Sequence, residues 1–285
     1  MPVLNTRPVV ALLNNMQADP DLTRTALGRA AVLNALASVV GGLGAAVANL
    51  DEKIYPPLSP RRWTGTDRRW RAASAQLDSA ARLAGCLDER LQAAAERCRR
   101  VITDYETVDY RGSLTQQHGT YRIDGPCICE DCDNRPLTLR LLPLRAGHEL
   151  TCVNPHSVSP TAAPDHAAVR GVHRVERLLA GAVADLPPLL DATHAAHLTR
   201  SLTVVAGRTR TAAAPWSDLI ADQLTTNRWM CTHGGGNPYP HIRYVHDTLN
   251  YLGPALTAVQ TDLRKATRVL ADIEAYPDPA GRQAA

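Results

Sequence analysis

The chain has 285 residues, a formal net charge of +3, 45% hydrophobic and 4% aromatic residues, and no Phe. A core without Phe must be built from Ala, Leu and Val, the residues that fill closely packed helices, so an all-helical scaffold is favoured. The small net charge excludes a strongly polyionic chain, and the basic residues are Arg apart from Lys53 and Lys265, a bias that points to base composition of the gene before it points to a nucleic-acid footprint.

Residues 1 to 20 carry no hydrophobic periodicity and read as a loosely held N-terminal tail. They also lack a basic stretch followed by a long apolar run and a small-residue cleavage site, so a cytoplasmic location is the expectation. Thiols stay reduced there, and the seven cysteines are then not a disulfide framework.

Residues 21 to 111 read as a helical hairpin. Its first half contains "AAVLNALASVVGGLGAAVANL", 21 uncharged residues from Ala30 to Leu50, long enough to span a bilayer. Asn34, Ser38, Asn49 and the glycines make insertion marginal. Leu33, Leu36, Val40, Leu43, Val47, Leu50 and Ile54 alternate steps of three and four, the mark of a packed seam, so core burial outweighs membrane insertion. "GGLG" at 41 to 44 lies inside that seam and serves close helix packing, not a dinucleotide loop.

"YPPLSPRRW" (55 to 63) ends this helix. The overlapping stretch "PRRWTGTDRRWR" (60 to 71) interleaves Arg61, Arg62, Arg68, Arg69 and Arg71 with Trp63 and Trp70. Arg with Trp is the pairing that grips phosphate and stacks on bases; the competing reading is an interhelical loop whose tryptophans cap the bundle. From Trp70 a second seam runs through Ala73, Leu77, Ala80, Ala84, Leu87, Leu91, Ala94, Cys98, Val101, Tyr105 and Val108. Cys98 is a small core residue on it, and Cys86 sits beside it without a role.

Residues 112 to 160 differ in kind. "GTYRIDGP", "LTLRLLPL" and "HELTCV" read as short strands separated by Gly125, Pro126, Asn134, Pro136 and Gly147. Cys129 and Cys132 form a C-x-x-C turn that lets two thiolates converge on one tetrahedral ion, and the strand pair returns the chain at Cys152, with His156 four residues on. Such a small module gains too little from burial, whereas a structural zinc ion contributes on the order of 10 kcal/mol. On "CEDC" and "CVNPH" the segment from 121 to 156 resembles zinc ribbons. It departs from them in ending on C-x-x-x-H and in offering Cys127, so the fourth ligand is either Cys127 or His156. A redox C-x-x-C is disfavoured because no strand leads into a helix there.

Residues 161 to 275 read as a further bundle segment, followed by a C-terminal tail from 276 to 285. An apolar helical run from near Asp165 is interrupted by "DLPP" at 185 to 188, a helix is expected over Leu189 to Thr211, and a short one over Trp216 to Trp229. A third seam takes Ile242, Val245, Leu249, Leu252, Leu256, Val259, Leu263, Ala266, Leu270 and Ile273. Asp191, His194 and His197 share one helical face, but no Glu-x-x-His partner exists for a di-metal site. Cys231, His233, His241 and His246 offer a second metal set, against which a Gly-rich loop before a helix is the simpler reading. "HGGG" within it lacks a G-x-S-x-G partner, so an esterase is excluded.

The expected fold is therefore mainly α, a long-helix bundle with coiled-coil-like seams interrupted by a small β zinc-ribbon-like module. The expected function is that of a non-enzymatic zinc-binding protein that binds nucleic acid through the ribbon and the Arg/Trp stretch. The alternative is a structural or assembly protein that makes protein contacts, self-association included, through its seams and ribbon.

Overall fold

The computed structural model describes residues 6–23, 26–54, 65–103, 114–117, 120–126, 136–144, 147–152, 175–184, 186, 190–226, 229–231 and 238–275; over 102–152 and 229–231 it describes the backbone alone. The helices are α1 (Arg7–Asn14), α2 (Pro20–Thr23), α3 (Ala26–Ile54), α4 (Gly65–Arg99), α5 (Val175–Ala184), α6 (Ala192–Thr226) and α7 (Tyr239–Ala275). Four long ones pack in a ring, α3 on α4, α4 on α7, α7 on α6 and α6 back on α3, with α5 laid on α3.

The three seams are the core of that ring. Every predicted α3 position from Leu33 to Ile54 and every α4 position from Ala73 to Cys98 is at most 2% exposed, and on the α7 seam every position but the partly buried Ile242 is at most 7% exposed. Helix α3 goes further than a seam: Val32, Ala35, Ala37, Val39 and Ala46 are buried as well. A helix that is apolar nearly all round belongs in the middle of a protein, and α3 is enclosed by α4, α5 and α6. That enclosure accounts for its uncharged sequence. By length and composition α3 could cross a membrane, but most of its apolar window is buried inside the molecule. At Gly44 an added Cβ would sit 3.1 Å from Ala84 Cβ and 3.4 Å from the Ala81 carbonyl, so this glycine sets the close approach of α3 and α4.

Helices α4 and α7 run antiparallel in one register. Arg69 donates to the Asp272 carbonyl (3.0 Å), Ser79 to the Asp262 carboxylate (2.8 Å), and the guanidinium groups of Arg90 and Arg97 stack over Tyr251 and Tyr244 at 4.5 and 4.1 Å. Each step forward along α4 is matched by the same step back along α7. Arg69, Arg90 and Arg97 are separated by whole heptads and so border the seam on one side, as side chains flanking a coiled-coil core do.

Several boundaries differ from expectation. The second seam does not continue as helix to Val108: α4 stops at Arg99, and Val101–Thr103 forms strand β1, where consecutive β-branched residues suit an extended chain. The fully buried Arg29 of α3 holds that turn, donating to the carbonyls of Val101 (3.0 Å) and Thr23 (3.1 Å). The first twenty residues are not all tail, since α1 buries Val9 and Leu13 against the bundle. The two helices expected around Pro215 are one, α6. Pro215 removes one backbone donor, and the carbonyl it orphans, on Thr211, belongs to an exposed residue, where solvent can satisfy it.

Among the described residues a closed zinc-ribbon module is not seen. Strands β2 (Leu114–Gln117), β3 (Thr120–Pro126), β4 (Pro136–Leu144) and β5 (Gly147–Cys152) belong to a sheet of order β1-β6-β5-β4-β3-β2, in which β6 is Trp229–Cys231. The pairing of β5 with β6 is parallel, through Glu149 with Trp229 and Leu150 with Met230. The edge that an independent ribbon would leave open is thereby occupied by chain from the far side of the sequence.

Candidate functional site

The basic stretch opens α4. Arg61, Arg62 and Trp63 lie outside the described residues. Of the others, Arg68 is exposed and Arg71 half-buried, while Trp70 packs against the core. Arg69 is committed to the Asp272 carbonyl in the last turn of α7, a position where a cation meets the negative end of the helix dipole. Arg69 is therefore a clamp between two helices, and its charge is partly used there.

The same contact brings the start of α4 to the C-terminal part of α7, where Arg264, Lys265 and Arg268 are exposed. Lys265 is paired with Asp262 at 3.2 Å. Arg264 and Arg268 instead border a groove of about 370 Å³ between α6 and α7, lined by Arg200, Thr203, Val204, Gln260, Arg264, Thr267 and Arg268, with no carboxylate among them. Sequence reasoning missed this groove. Its signal was present, in arginines one turn apart beside the seam of α7 and another beside the apolar positions of α6. Only the pairing of the two helices puts them together.

The zinc ligands expected from sequence cannot be placed by this geometry. Cys127, Cys129, Cys132 and His156 lie outside the described residues, and for Cys152 only its backbone is described, at the end of β5 opposite Leu139. Among the described residues no group of three or more His, Cys, Asp or Glu could hold a metal ion. Cys86 is exposed and Cys98 is buried.

Asp191 and His194 are explained without a metal. Asp191 stands just before α6, and its carboxylate accepts the His194 backbone N–H at 2.8 Å, an N-cap. Its other oxygen is 2.6 Å from His194 Nδ1. The backbone hydrogen bond from His194, and then the side-chain one, hold this carboxyl below the ordinary Asp range. His197 is exposed.

Of the second metal set, Cys231 is described only as β6 backbone and His233 lies outside the described residues. His241 is held below the ordinary imidazole range by burial first, then by the charges of Arg97 and Arg100. An imidazole facing two guanidinium groups sits in a field that repels a metal cation as it repels a proton.

Comparison with protein-family models, curated proteins and solved structures gives no match, so the functional reading rests on the residues themselves.

Proposed function

We propose that this chain is a non-enzymatic binding protein that engages nucleic acid through one basic end of its bundle. We also propose that it holds zinc through Cys129, Cys132, Cys152 and either His156 or Cys127. The observation that carries the nucleic-acid reading is the Arg69–Asp272 contact. It seats the opening turns of α4, which carry the exposed Arg68, beside the last turn of α7, the helix that also carries the exposed Arg264, Lys265 and Arg268. Exposed guanidinium groups on the ends of two helices supply the sequence-independent phosphate contacts that dominate polyanion affinity. The zinc reading is supported by the C-x-x-C spacing and the return of the chain at Cys152. The seams give no support to self-association, because their side chains are already buried against one another within the chain.

The test is fluorescence anisotropy with unrelated single- and double-stranded oligonucleotides across a salt series, alongside elemental analysis of protein prepared without chelator. Wild-type protein should bind at low salt, and changing Arg61, Arg62 and Arg68 together to Ala should weaken binding uniformly. The log–log salt slope should fall by roughly 0.7 to 0.9 for each phosphate that is no longer neutralised. Arg69 is left in place because it clamps α7. Absence of binding to every oligonucleotide at low salt would refute the nucleic-acid reading, and absence of stoichiometric zinc would refute the metal one.

A further inference from the structure

We propose that the groove between α6 and α7 is a phosphate-binding site, with Arg200, Arg264 and Arg268 as its cationic walls and the Gln260 amide as a neutral donor at its floor. It deepens the nucleic-acid reading, on which it rests only for the owner of the phosphate.

Several arginines elsewhere on the bundle have visible partners. Arg69 caps α7, Arg90 and Arg97 stack on tyrosines, Arg82 pairs with Asp78, Arg243 with Asp247, and Arg210 donates to the Thr257 hydroxyl. In the groove three guanidinium groups face one concavity that, among the described residues, no carboxylate lines. Arg264 and Arg268 stand one helical turn apart, a spacing at which like charges repel. An anion between them and Arg200 relieves that repulsion and takes the forked hydrogen bonds for which guanidinium is shaped.

The floor is built to offer a donor. Gln260 is 8% exposed and lies against α6 because position 207 is Gly; a Cβ there would come within 2.5 Å of Gln260 Nε2. One N–H of that amide reaches toward the Thr203 carbonyl at 3.5 Å, which leaves the second for a ligand. The hydroxyls of Thr203 and Thr267 donate to the carbonyls of Thr199 and Leu263 at 2.8 Å each, so they are spent within their own helices. The charge and the remaining donors therefore select an oxyanion. Val204 on the wall is 48% exposed and gives apolar surface to whatever carries the phosphate.

The experiment titrates full-length protein with inorganic pyrophosphate by calorimetry and, separately, with a single-stranded oligonucleotide. Pyrophosphate should bind in about the millimolar range or tighter, and Arg264→Ala with Arg268→Ala should weaken it at least about tenfold while the helical circular dichroism is unchanged. No pyrophosphate binding, or binding that the double variant leaves intact, overturns the site. An oligonucleotide displaced by pyrophosphate and weakened in the double variant supports it and makes a nucleic-acid phosphodiester the ligand. Pyrophosphate binding without oligonucleotide binding also supports the site, while the nucleic-acid function falls. Oligonucleotide binding with no pyrophosphate binding overturns the site and leaves that function standing.

Discussion

Asp51, in the last turns of α3, is a charge that the fold tolerates without supporting it. Burial is the main reason its carboxyl sits above the ordinary Asp range, the Ser74 hydrogen bond pulls the other way, and the charges of Asp78 and Glu52 push it up again. One of its carboxylate oxygens is buried without a hydrogen-bond partner. A carboxyl whose folded pKa is raised adds stability below its unfolded pKa, about 3.9, and loses that contribution as pH rises through the folded value. At pH 7 the ionised side chain is therefore a cost, and Asp51→Asn should raise the melting temperature. The advantage should shrink as the pH is lowered toward about 4, because the wild-type carboxyl is then protonated too. Thermal melts at several pH values check this, and an Asn variant less stable than wild type at neutral pH would contradict it. Asp191 is the reverse case, a carboxylate stabilised in its charged form by the helix it caps. No sequence pattern separates the two residues, since only the surroundings that the fold supplies differ.

At the scale of elements, the three-and-four stepping of apolar residues located the seams correctly because burial in a bundle of long helices is set by rotation about each axis. Leu256 and Thr257 illustrate the resolution of that reading: Leu256 is fully buried on the α7 seam, and Thr257 next to it is exposed. Leu256→Ala should destabilise the fold by roughly 2 to 5 kcal/mol. Thr257→Ala should cost well under half as much, since it gives up only a surface hydroxyl bonded to the Gly253 carbonyl and to Arg210. Denaturant unfolding measures both, and equal losses would mean that the seam is misassigned. What the stepping could not locate were the ends. Pro215 and Pro254 lie inside α6 and α7 and both are exposed. A proline on the wet face orphans a carbonyl that water can reach, and tertiary packing on the other face then carries the helix through it. Periodicity alone also extended α4 past Arg99, because it takes no account of the competing extended preference of Val101, Ile102 and Thr103.

For the molecule as a whole, the cysteine cluster was the most conspicuous feature of the sequence, whereas the groove arginines carried no local motif and became visible only when two helices distant in sequence paired. Spacing can announce a ligand set built within one turn, but not a site assembled across an interhelical groove. The described core makes a further point about how the chain is assembled. Its described buried members up to Val101 and from Val175 onward belong to one cluster, so the helices on either side of the strand-bearing segment form one bundle. The helices make their packing contacts with one another, and Arg29 fastens β1 to α3 through the Val101 carbonyl. A chain in which residues 104 to 174 are replaced by a flexible Gly/Ser linker of about 20 residues should therefore keep its helical circular dichroism. It should also melt in a single cooperative transition that chelators do not shift, because the proposed zinc ligands are gone and the described helical core is kept. Loss of that transition would show that the strand-bearing segment completes the core, and the bundle would then have to be read as dependent on its sheet.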